Sequence, residues 1–518
     1  MVWRIDDPQC AESRKVVWEV ARWLRGRGLD IGAGDFKVLP HVISVDNLNH
    51  IQFGFTHRPD IVAEAEDLSI FGSQSMDFVY SSHTLEHVVN WKAALKEWWR
   101  VIKPNGLMVL YLPHKLFYPN IGEKGANPDH KHDFLPDEII DALPEGHDVL
   151  VKEDRNNDNE YSMLIVVRKL HGRHKHRTCN LPKPTKTACV VRYGAYGDLM
   201  QSSSVWSALK AEGYHVSVIT SGPGCDVLTH DPNIDDLIIY DKDQVPNAQL
   251  NLFWAYQKTR FDKFVNLSES IEGTLLALPG RTIHFFPPAV RESLTNRNYV
   301  EFQHALAGVP YRLQSKFYND LSERAWSSKE RDKAKGPLIM WSLAGSSVHK
   351  TWAGLDNILA CILVDFPTAT VVLVGGPECA ILEAGWENEP RIWKKSGVYG
   401  IRETLSLALR CDLVIGSETG VLNAMACENM KKIVFLSHST GENLTRDWTN
   451  TISLKGVGTV CKGRGNDEAA ACHQLHYGWD HCTQHKESGV AQCQADIPIQ
   501  AVWDVVRASL EENPKDTK

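Results

Sequence analysis

Near the N-terminus, carboxylates and glycines stand at the ends of short apolar runs that are typical of buried β-strands. Gly32 and Gly34 lack side chains, so a ligand could approach the backbone closely there. Asp46 ends the run VISVD, and an acid at the end of a strand can accept hydrogen bonds from both hydroxyls of a ribose. The pattern predicts a nucleoside site. Its candidate residues are Asp30, Gly32, Gly34, Asp46, Asp67 and Leu68.

Imidazoles and carboxylates follow in the same region. His83, Glu86 and His87 come just after another apolar run, where acid/base groups can reach a substrate. Each of these residue types alone more often caps a helix or packs inside a fold. In residues 129–133 (DHKHD), Asp and His alternate, so in an extended chain they would point the same way and could bind a metal. The alternative is a polar loop over an active site.

In the second part of the chain, two glycines and an acid stand together in residues 191–199 (VRYGAYGDL). A strand-to-helix junction is predicted here. It would place Asp198 beside a cleft, where the carboxylate can take a proton from an acceptor hydroxyl. Aspartate is also favoured at the start of a helix, so capping is the alternative role.

Alternating strands and helices must position these residues. One alternation, from residue 16 to about residue 169, predicts a doubly wound parallel sheet. Two more, starting at residues 188 and 338, predict two Rossmann-like lobes with a ligand-binding cleft between them. The fold class is therefore α/β. The predicted segments are a first domain (1–170), a basic linker (171–187), a first lobe (188–328) and a second lobe (329–518).

The motifs LDIGAG, SVD, EDL and SSHTLEH follow one another within residues 28–114. Together they resemble the class I S-adenosylmethionine-dependent methyltransferases, which have a Rossmann-like fold. The resemblance implies that the loop with Gly32 and Gly34 wraps the methionine moiety of S-adenosylmethionine. It also implies that Asp46 holds the ribose and that Asp67, with Leu68, lies by the adenine. His83 and His87 are the candidate catalytic residues, and DHKHD resembles a substrate loop of methyltransferases that act on sugars. Few residues separate the glycine loop from the second predicted strand, so the first crossover helix of the Rossmann-like fold should be nearly absent.

The motifs RYGAYGDLM, WSLAGSSVHKTW, VVLVGGPE and GSETGVLNAMA follow in that order between residue 188 and about residue 450. They are similar to motifs of the ADP-heptose-type heptosyltransferases, in glycosyltransferase family 9. The resemblance implies a GT-B pair of Rossmann-like lobes with Asp198 as the general base. This chain has Glu418 where the family usually has Asp and Asn423 where it commonly has His. The sugar donor therefore need not be ADP-heptose.

An inverting transfer from a nucleotide-sugar also needs groups that hold the departing diphosphate as its charge grows. Lys350 offers a cation, and the start of a helix at Thr419 offers backbone N–H groups. Glu378, at the end of another strand, could face the nucleoside. The candidate residues for this donor site are Ser346, Ser347, Lys350, Glu378, Glu418, Thr419 and Gly420.

Four cysteines are concentrated near the C-terminus, with histidines between them: Cys461, Cys472, Cys482 and Cys493. Four thiols in a reduced protein can form a tetrahedral site for a structural zinc or iron ion. The segment contains no CxxC pair, and buried free thiols are the alternative.

The N-terminal segment, the apolar runs and the net charge indicate the cellular location and the partners of the protein. The N-terminus has no apolar stretch after a basic start, and no apolar run is long enough to cross a bilayer, which predicts a cytoplasmic location without a transmembrane segment. The formal net charge of −8 provides no global attraction to nucleic acid.

The motifs together predict a bifunctional carbohydrate-modifying enzyme that glycosylates an acceptor hydroxyl and methylates the acceptor or the added sugar. A glycan or glycolipid is the first acceptor class. A hydroxylated DNA base contacted by the basic linker is the second, and DNA retention would then depend on salt. In a third hypothesis the first domain is a non-catalytic docking module, which would not bind S-adenosylmethionine.

Overall fold

The computed structural model describes residues 12–48, 58–157, 160–170, 186–241, 244–245, 249–269, 296–345, 350–437, 439–459 and 483–512. The chain divides into two compact units. Unit 1 comprises Met1–Lys183 and Tyr240–Gln249, and unit 2 comprises Pro184–Ile239 and Leu250–Lys518. Almost all of the predicted linker lies outside the described residues.

Unit 1 is built on one mixed sheet, which has seven strands in the described residues. The strands are β1 Gly28–Ile31, β2 Ile43–Asp46, β3 Ile61–Val62, β4 Met76–Ser82, β5 Ile102–Pro113, β6 His147–Asn157 and β7 Glu160–Lys169. Their order is β3-β2-β1-β4-β5-β7-β6, and all neighbours are parallel except β5–β7 and β7–β6. The described chain between β1 and β2 contains no helix, as the short spacing predicts.

The helices of unit 1 cover this sheet through apolar faces. They are α1 Ser13–Val20, α2 Trp91–Val101 and α3 Pro136–Ala142. In α2 the buried residues Ala94, Leu95, Trp98 and Val101 recur at helical spacing, and the Asn90 side chain caps the first turn. The helix ends where Ile102 becomes extended and begins β5.

A segment from later in the chain completes unit 1. The Tyr240 hydroxyl donates to the Trp18 carbonyl at 2.7 Å, and Gln244 Nε2 donates to the Ala21 carbonyl at 2.7 Å. This segment lies within the range predicted for the first lobe. Its packing depends on long-range contacts, which residue patterning does not report.

Unit 2 contains two parallel sheets, each the centre of one lobe. Lobe 1 has strands β8 Thr187–Val191, β9 His215–Thr220, β10 Asp236–Ile239 and β11 Lys263–Asn266, in the order β10-β9-β8-β11. Its helices are α4 Tyr196–Ala211, α5 Gly222–Leu228, α6 Leu250–Thr259, α7 Tyr299–Ala307 and α8 Leu321–Arg331.

Lobe 2 has the larger parallel sheet, in the order β14-β13-β12-β15-β16-β17. The strands are β12 Leu338–Ser342, β13 Thr370–Val374, β14 Ile392–Lys394, β15 Leu413–Ser417, β16 Lys431–Leu436 and β17 Thr451–Lys455. The helices are α9 Leu355–Asp365, α10 Ile401–Ala408, α11 Gly420–Ala424, α12 Gln492–Ala495 and α13 Ile499–Glu511. Every residue of β12, β13 and β15 is buried, because helices cover both faces of a parallel sheet.

The three strand orders confirm the predicted α/β fold class with Rossmann-like sheets, but the sheet of unit 1 is mixed, not wholly parallel as predicted, because β7 runs antiparallel to β5 and β6. In each sheet the order reverses beside the first strand, between β1 and β4, β8 and β11, and β12 and β15. Ligands of such sheets bind outside the carboxyl ends of the strands at this switch point. Among the described helices, none has the length and apolar character needed to cross a bilayer.

Candidate functional site

The glycine loop of unit 1 follows β1 at the switch point. Gly32 and Gly34 have φ values of +75° and +54°, a region that glycine enters without steric strain. A Cβ added at Gly32 would lie 2.0 Å from Thr84 Oγ1, whereas one added at Gly34 would meet nothing within 4 Å. Gly32 is thus required for close packing, and Gly34 leaves open space beside the loop.

Asp46 lies at the end of β2, next to this loop. Its carboxylate accepts hydrogen bonds from the N–H of Gly34 at 3.0 Å and the N–H of Leu48 at 3.1 Å. These bonds hold the carboxylate beside the open side of the glycine loop. The structure therefore brings two of the predicted nucleoside-binding elements together.

Asp67 and Leu68 differ sharply in exposure. Asp67 is exposed, and hydrogen bonds from Ser69 lower its pKa. Leu68 is wholly buried in the core of unit 1. Its side chain therefore packs inside the fold.

Asp30 lies beneath the glycine loop and is 1% exposed. Its Oδ2 accepts the N–H of Val38 at 2.7 Å. Burial raises the pKa of Asp30 to about 7, and the nearby charge of Asp46 adds to the increase. Asp30 supports the loop from inside the fold.

Replacing Asp30 with Asn should remove part of the pH dependence of stability. The raised folded-state pKa means that the unfolded chain ionises first, so Asp30 disfavours folding increasingly as pH rises from about 4 to about 7. Asn stays neutral and can still accept the Val38 N–H. We expect the melting temperature of Asp30→Asn to match wild type near pH 4 and to exceed it by several degrees near pH 8.

The control for this prediction is Asp60→Asn. Although burial opposes it, hydrogen bonds from Lys37 and Ser44 lower the pKa of Asp60, so this variant should lose stability relative to wild type as pH rises. A difference between Asp30→Asn and wild type that did not change with pH would contradict the assignment.

A cluster of imidazoles surrounds Glu86, in the short helix Leu85–His87 after β4. Glu86 is wholly buried, and neither of its carboxylate oxygens has a hydrogen-bond partner in the described structure. Its Oε1 lies 3.7 Å from His83 Nδ1, 3.8 Å from His87 Nε2 and 3.9 Å from His130 Nε2. His83 Nε2 lies 3.0 Å from Ser162 Oγ.

Burial controls protonation in this cluster. It raises the pKa of Glu86 to about 8 and lowers the pKa of His83 to about 3. It also lowers the pKa values of His87 and His130. Burial therefore favours the neutral forms of both the imidazoles and the Glu86 carboxyl group.

Within residues 129–133, the structure places one side chain, that of His130, against Glu86. His132 Nε2 lies 3.2 Å from the Val89 carbonyl, and Asp133 Oδ2 accepts the N–H of Ile121 at 3.0 Å. The alternating pattern therefore does not form a metal site by itself.

In lobe 1, Asp198 is the third residue of α4. Its Oδ2 accepts the N–H of Ala195 at 2.7 Å, so it does cap the helix. Asp198 Oδ1 lies 3.6 Å from Nη2 of Arg192, which is wholly buried, whereas the Asp198 side chain remains 26% exposed. The same carboxylate therefore caps α4 and stays accessible to a substrate.

Gly194 allows this carboxylate its position. Its φ is +126°, and a Cβ added there would lie 2.2 Å from Asp198 Oδ2. Gly213 also has positive φ, +84°, but an added Cβ would meet nothing within 4 Å. We expect Gly213→Ala to lose about 1–2 kcal/mol from backbone strain, and Gly194→Ala to lose more, because its added Cβ also meets the Asp198 carboxylate.

The two alanine variants should differ in activity. Gly194→Ala displaces the Asp198 carboxylate and should lose most glycosyl transfer, whereas Gly213→Ala should retain it. Thermal unfolding and initial transfer rates measured on both variants check this. Equal activities would show that the position of the carboxylate does not limit transfer.

In lobe 2, candidate residues follow β12 and β15 at the switch point. Lys350 is 8% exposed, and its ammonium donates to the Glu418 carbonyl at 2.9 Å. Thr419 Oγ1 lies 3.0 Å from Ser342 Oγ. The buried Glu418 carboxylate turns towards the end of β16 and accepts the N–H of Ser437 at 2.6 Å. Its role in the described structure is to join two strand ends.

The starts of α4 and α11 touch at the junction of the two lobes. A Cβ added at Gly420 would lie 2.8 Å from Tyr196 Cβ, and one at Gly197 would lie 3.0 Å from Asn423 Nδ2. Gln201 Nε2 donates to Asn423 Oδ1 at 3.0 Å. The two glycines permit this close approach. Asp198 follows Gly197 in α4, and Lys350 contacts the Glu418 carbonyl just before α11, so both residues adjoin this junction.

Other predicted residues are spread more widely. Glu378 is exposed in the helical turn after β13, and Cys493 is half-buried in α12. The remaining candidates lie outside the described residues, namely Ser346, Ser347, Cys461, Cys472 and Cys482.

The sequence patterns assigned no role to Arg192 or Gln201, and they offered His130 as a metal ligand only within the DHKHD alternation, without Glu86. Arg192 belongs to the RYGAYGD motif, which could have drawn attention to it. Gln201 contacts Asn423 and His130 contacts Glu86, and these partners are distant in the sequence, so only the folded chain shows them.

Comparisons with known proteins gave separate matches for the N-terminal region and for the rest of the chain. Residues 29–110 match the family model described as a methyltransferase domain. This match confirms the predicted resemblance of the N-terminal region. No match was found among curated proteins.

Solved structures of both predicted types are similar to parts of the chain. An ADP-heptose lps heptosyltransferase II from E. coli has 16% identity and a TM-score of 0.45, covering 63% of this chain and 99% of that one. A glycosyl transferase family 9 protein from Veillonella parvula has 14% identity and a TM-score of 0.46, with coverage of 64% and 99%. A putative methyltransferase from Bacillus halodurans has 18% identity and a TM-score of 0.25, with coverage of 31% and 99%.

Proposed function

We propose that this chain is a bifunctional transferase that modifies carbohydrates. Unit 2 transfers a sugar from a nucleotide-sugar to an acceptor hydroxyl with inversion, and unit 1 carries out S-adenosylmethionine-dependent methylation. The proposed acceptor is a glycan or glycolipid. The motifs of both regions support these two activities.

The observation that carries the glycosyl transfer is the environment of Lys350. Its ammonium is buried, and among the described residues its partner is a neutral carbonyl rather than a carboxylate. A buried charge without a counter-charge is unfavourable, so an anionic ligand would stabilise it. Within the described residues, two of its three N–H donors are left for such a ligand, and a diphosphate matches this need.

Asp198 supplies the second half of the chemistry. Its accessible carboxylate takes the proton of the acceptor hydroxyl as that oxygen forms a bond to the anomeric carbon. The bond from the anomeric carbon to the diphosphate oxygen breaks at the same time, and the Lys350 ammonium stabilises the diphosphate that leaves. Attack opposite the leaving group inverts the anomeric configuration.

The N-terminal site fits S-adenosylmethionine. Gly34 leaves space where a side chain would otherwise project, and Asp46 is fixed beside it to hold the ribose. When bound, the cofactor supplies an electrophilic methyl group. His83 and His87, which follow β4, are the proposed catalytic residues that contact the acceptor.

The experiment is mass spectrometry of the full chain with a panel of nucleotide-sugars, together with calorimetry using S-adenosylmethionine. We expect hydrolysis or retention of at least one donor and one cofactor per chain. Absence of any donor turnover or binding would overturn glycosyl transfer. If the chain turned over a donor but did not bind S-adenosylmethionine, unit 1 would be a docking module rather than a methyltransferase.

A further inference from the structure

We propose that Glu86, His87 and His130 bind a divalent transition-metal ion. The strongest sign is the Glu86 carboxylate, which is wholly buried and has no hydrogen-bond partner in the part of the chain that the structure describes. Leaving both oxygens of a buried carboxyl group unsatisfied is costly, and such groups call for a ligand.

The distances fit a shared ion. His87 Nε2 and His130 Nε2 lie 3.8 and 3.9 Å from the same oxygen, Glu86 Oε1. One ligand atom from each of the three residues lies within 4.8 Å of the others. Ligands about 2.0–2.2 Å from a tetrahedral ion are about 3.3–3.6 Å apart. The two distances to Glu86 Oε1 exceed this spacing by a few tenths of an ångström, and the imidazole nitrogens, at most 4.8 Å apart, would approach each other by up to about 1.2 Å to bind one ion.

Hydrogen bonds around the cluster orient two of these ligands. His87 Nδ1 lies 3.2 Å from the Asp129 carbonyl, which can only accept, so Nδ1 carries the hydrogen and Nε2 presents its lone pair to Glu86. The N–H groups of Lys131 and His132 donate to the Glu86 carbonyl at 2.8 and 3.2 Å. These bonds attach the loop of His130 to the Glu86 backbone.

The ligand types indicate the class of ion. Two imidazoles and one carboxylate suit zinc, cobalt, manganese or iron(II), whereas magnesium and calcium prefer oxygen ligands. Three protein ligands leave coordination positions open for a small molecule. His83 Nδ1 lies 3.7 Å from the same carboxylate oxygen and could contribute a fourth ligand.

The location suggests what the ion would do. His87 N–H donates to the Thr84 carbonyl at 3.0 Å, and the Thr84 hydroxyl donates to the Gly32 carbonyl at 3.4 Å. The cluster thus adjoins the glycine loop. If unit 1 methylates a sugar as proposed, the ion would bind the acceptor hydroxyl and make it more acidic. Metal binding itself does not depend on that function.

The test is a titration of the full-length chain, freed of metal, with Co²⁺. The visible absorption of Co²⁺ reports binding to nitrogen and oxygen ligands, and a near-ultraviolet thiolate band separates any ion held by the C-terminal cysteines. We expect wild type to show one site without the thiolate band. Glu86→Gln and His130→Ala should each weaken it by more than about tenfold, since even indirect changes around metal ligands cost 10- to 100-fold.

The matched control is His132→Ala, because this histidine lies in the same loop but faces the Val89 carbonyl. It should keep the wild-type affinity within twofold. Circular dichroism checks that Glu86→Gln, which keeps the side-chain shape, is folded. Absence of the nitrogen/oxygen site in wild type, or equal affinity in Glu86→Gln, His130→Ala and wild type, would overturn the proposal. Calorimetry with S-adenosylmethionine separately tests the methyltransferase function.

Discussion

Asp198→Asn is expected to lower the turnover number of glycosyl transfer by about 10²- to 10⁴-fold, the usual contribution of a general base. Asn can still accept the Ala195 N–H that caps α4, so the fold should persist. It cannot take a proton from the acceptor. The KM for the nucleotide-sugar should change little, because the carboxylate acts on the acceptor. Initial rates with a donor identified from the panel measure both quantities.

The matched control is Glu403→Gln. Glu403 is likewise the third residue of a helix, α10, and its carboxylate accepts the N–H of Gly400 at 2.9 Å. This variant should keep the wild-type rate. If Asp198→Asn retained more than a tenth of the wild-type turnover number, a purely capping role would explain Asp198 better.

Lys350→Met is expected to be less active but no less stable. Loss of one preorganised donor to a developing charge commonly lowers rates by about 10²- to 10³-fold. The unliganded protein should gain or keep stability, because methionine removes a buried charge that faces no carboxylate in the described structure. The affinity for free nucleoside diphosphate should fall as well. Calorimetry and thermal unfolding provide the measurements.

Lys432→Met is the control for burial. Lys432 is wholly buried in the same lobe, and its ammonium donates to the carbonyls of Glu428 and Met430. Its replacement should change stability without changing donor affinity or transfer rate. Equal loss of transfer in both lysine variants would show that Lys350 acts through the fold rather than on the diphosphate.

The sequence predicted much of unit 1, because its signals are local. Glycine at positions 32 and 34 reflects backbone geometry within a single loop, and the short spacing to β2 leaves no room for a helix. The motifs could not show that Leu68 is wholly buried or that Asp30 supports the loop from inside the fold. Exposure depends on what the rest of the chain places over a residue.

The glycosyltransferase region shows the same contrast at longer range. The strand-to-helix junction at Asp198 was predictable from the glycines and the acid in RYGAYGD. The Glu418 side chain, which is longer than the Asp usual in the similar family, accepts the N–H of Ser437 after β16. Asn423 Oδ1 accepts a hydrogen bond from Gln201 of the other lobe. These partners lie 19 and 222 residues away along the chain, beyond the reach of any local pattern.

The sequence by itself determined the α/β class, the alternation of its elements and the residue types at the strand ends, because periodicity and glycine geometry are properties of neighbouring residues. Only the tertiary structure decided the strand orders, which align the switch points with those residues. It also surrounded Glu86 with imidazoles from two segments and left Lys350 buried without a carboxylate partner in the described structure. Burial and pairing are created when distant segments pack together, and the electrostatic character of each site arises at that step.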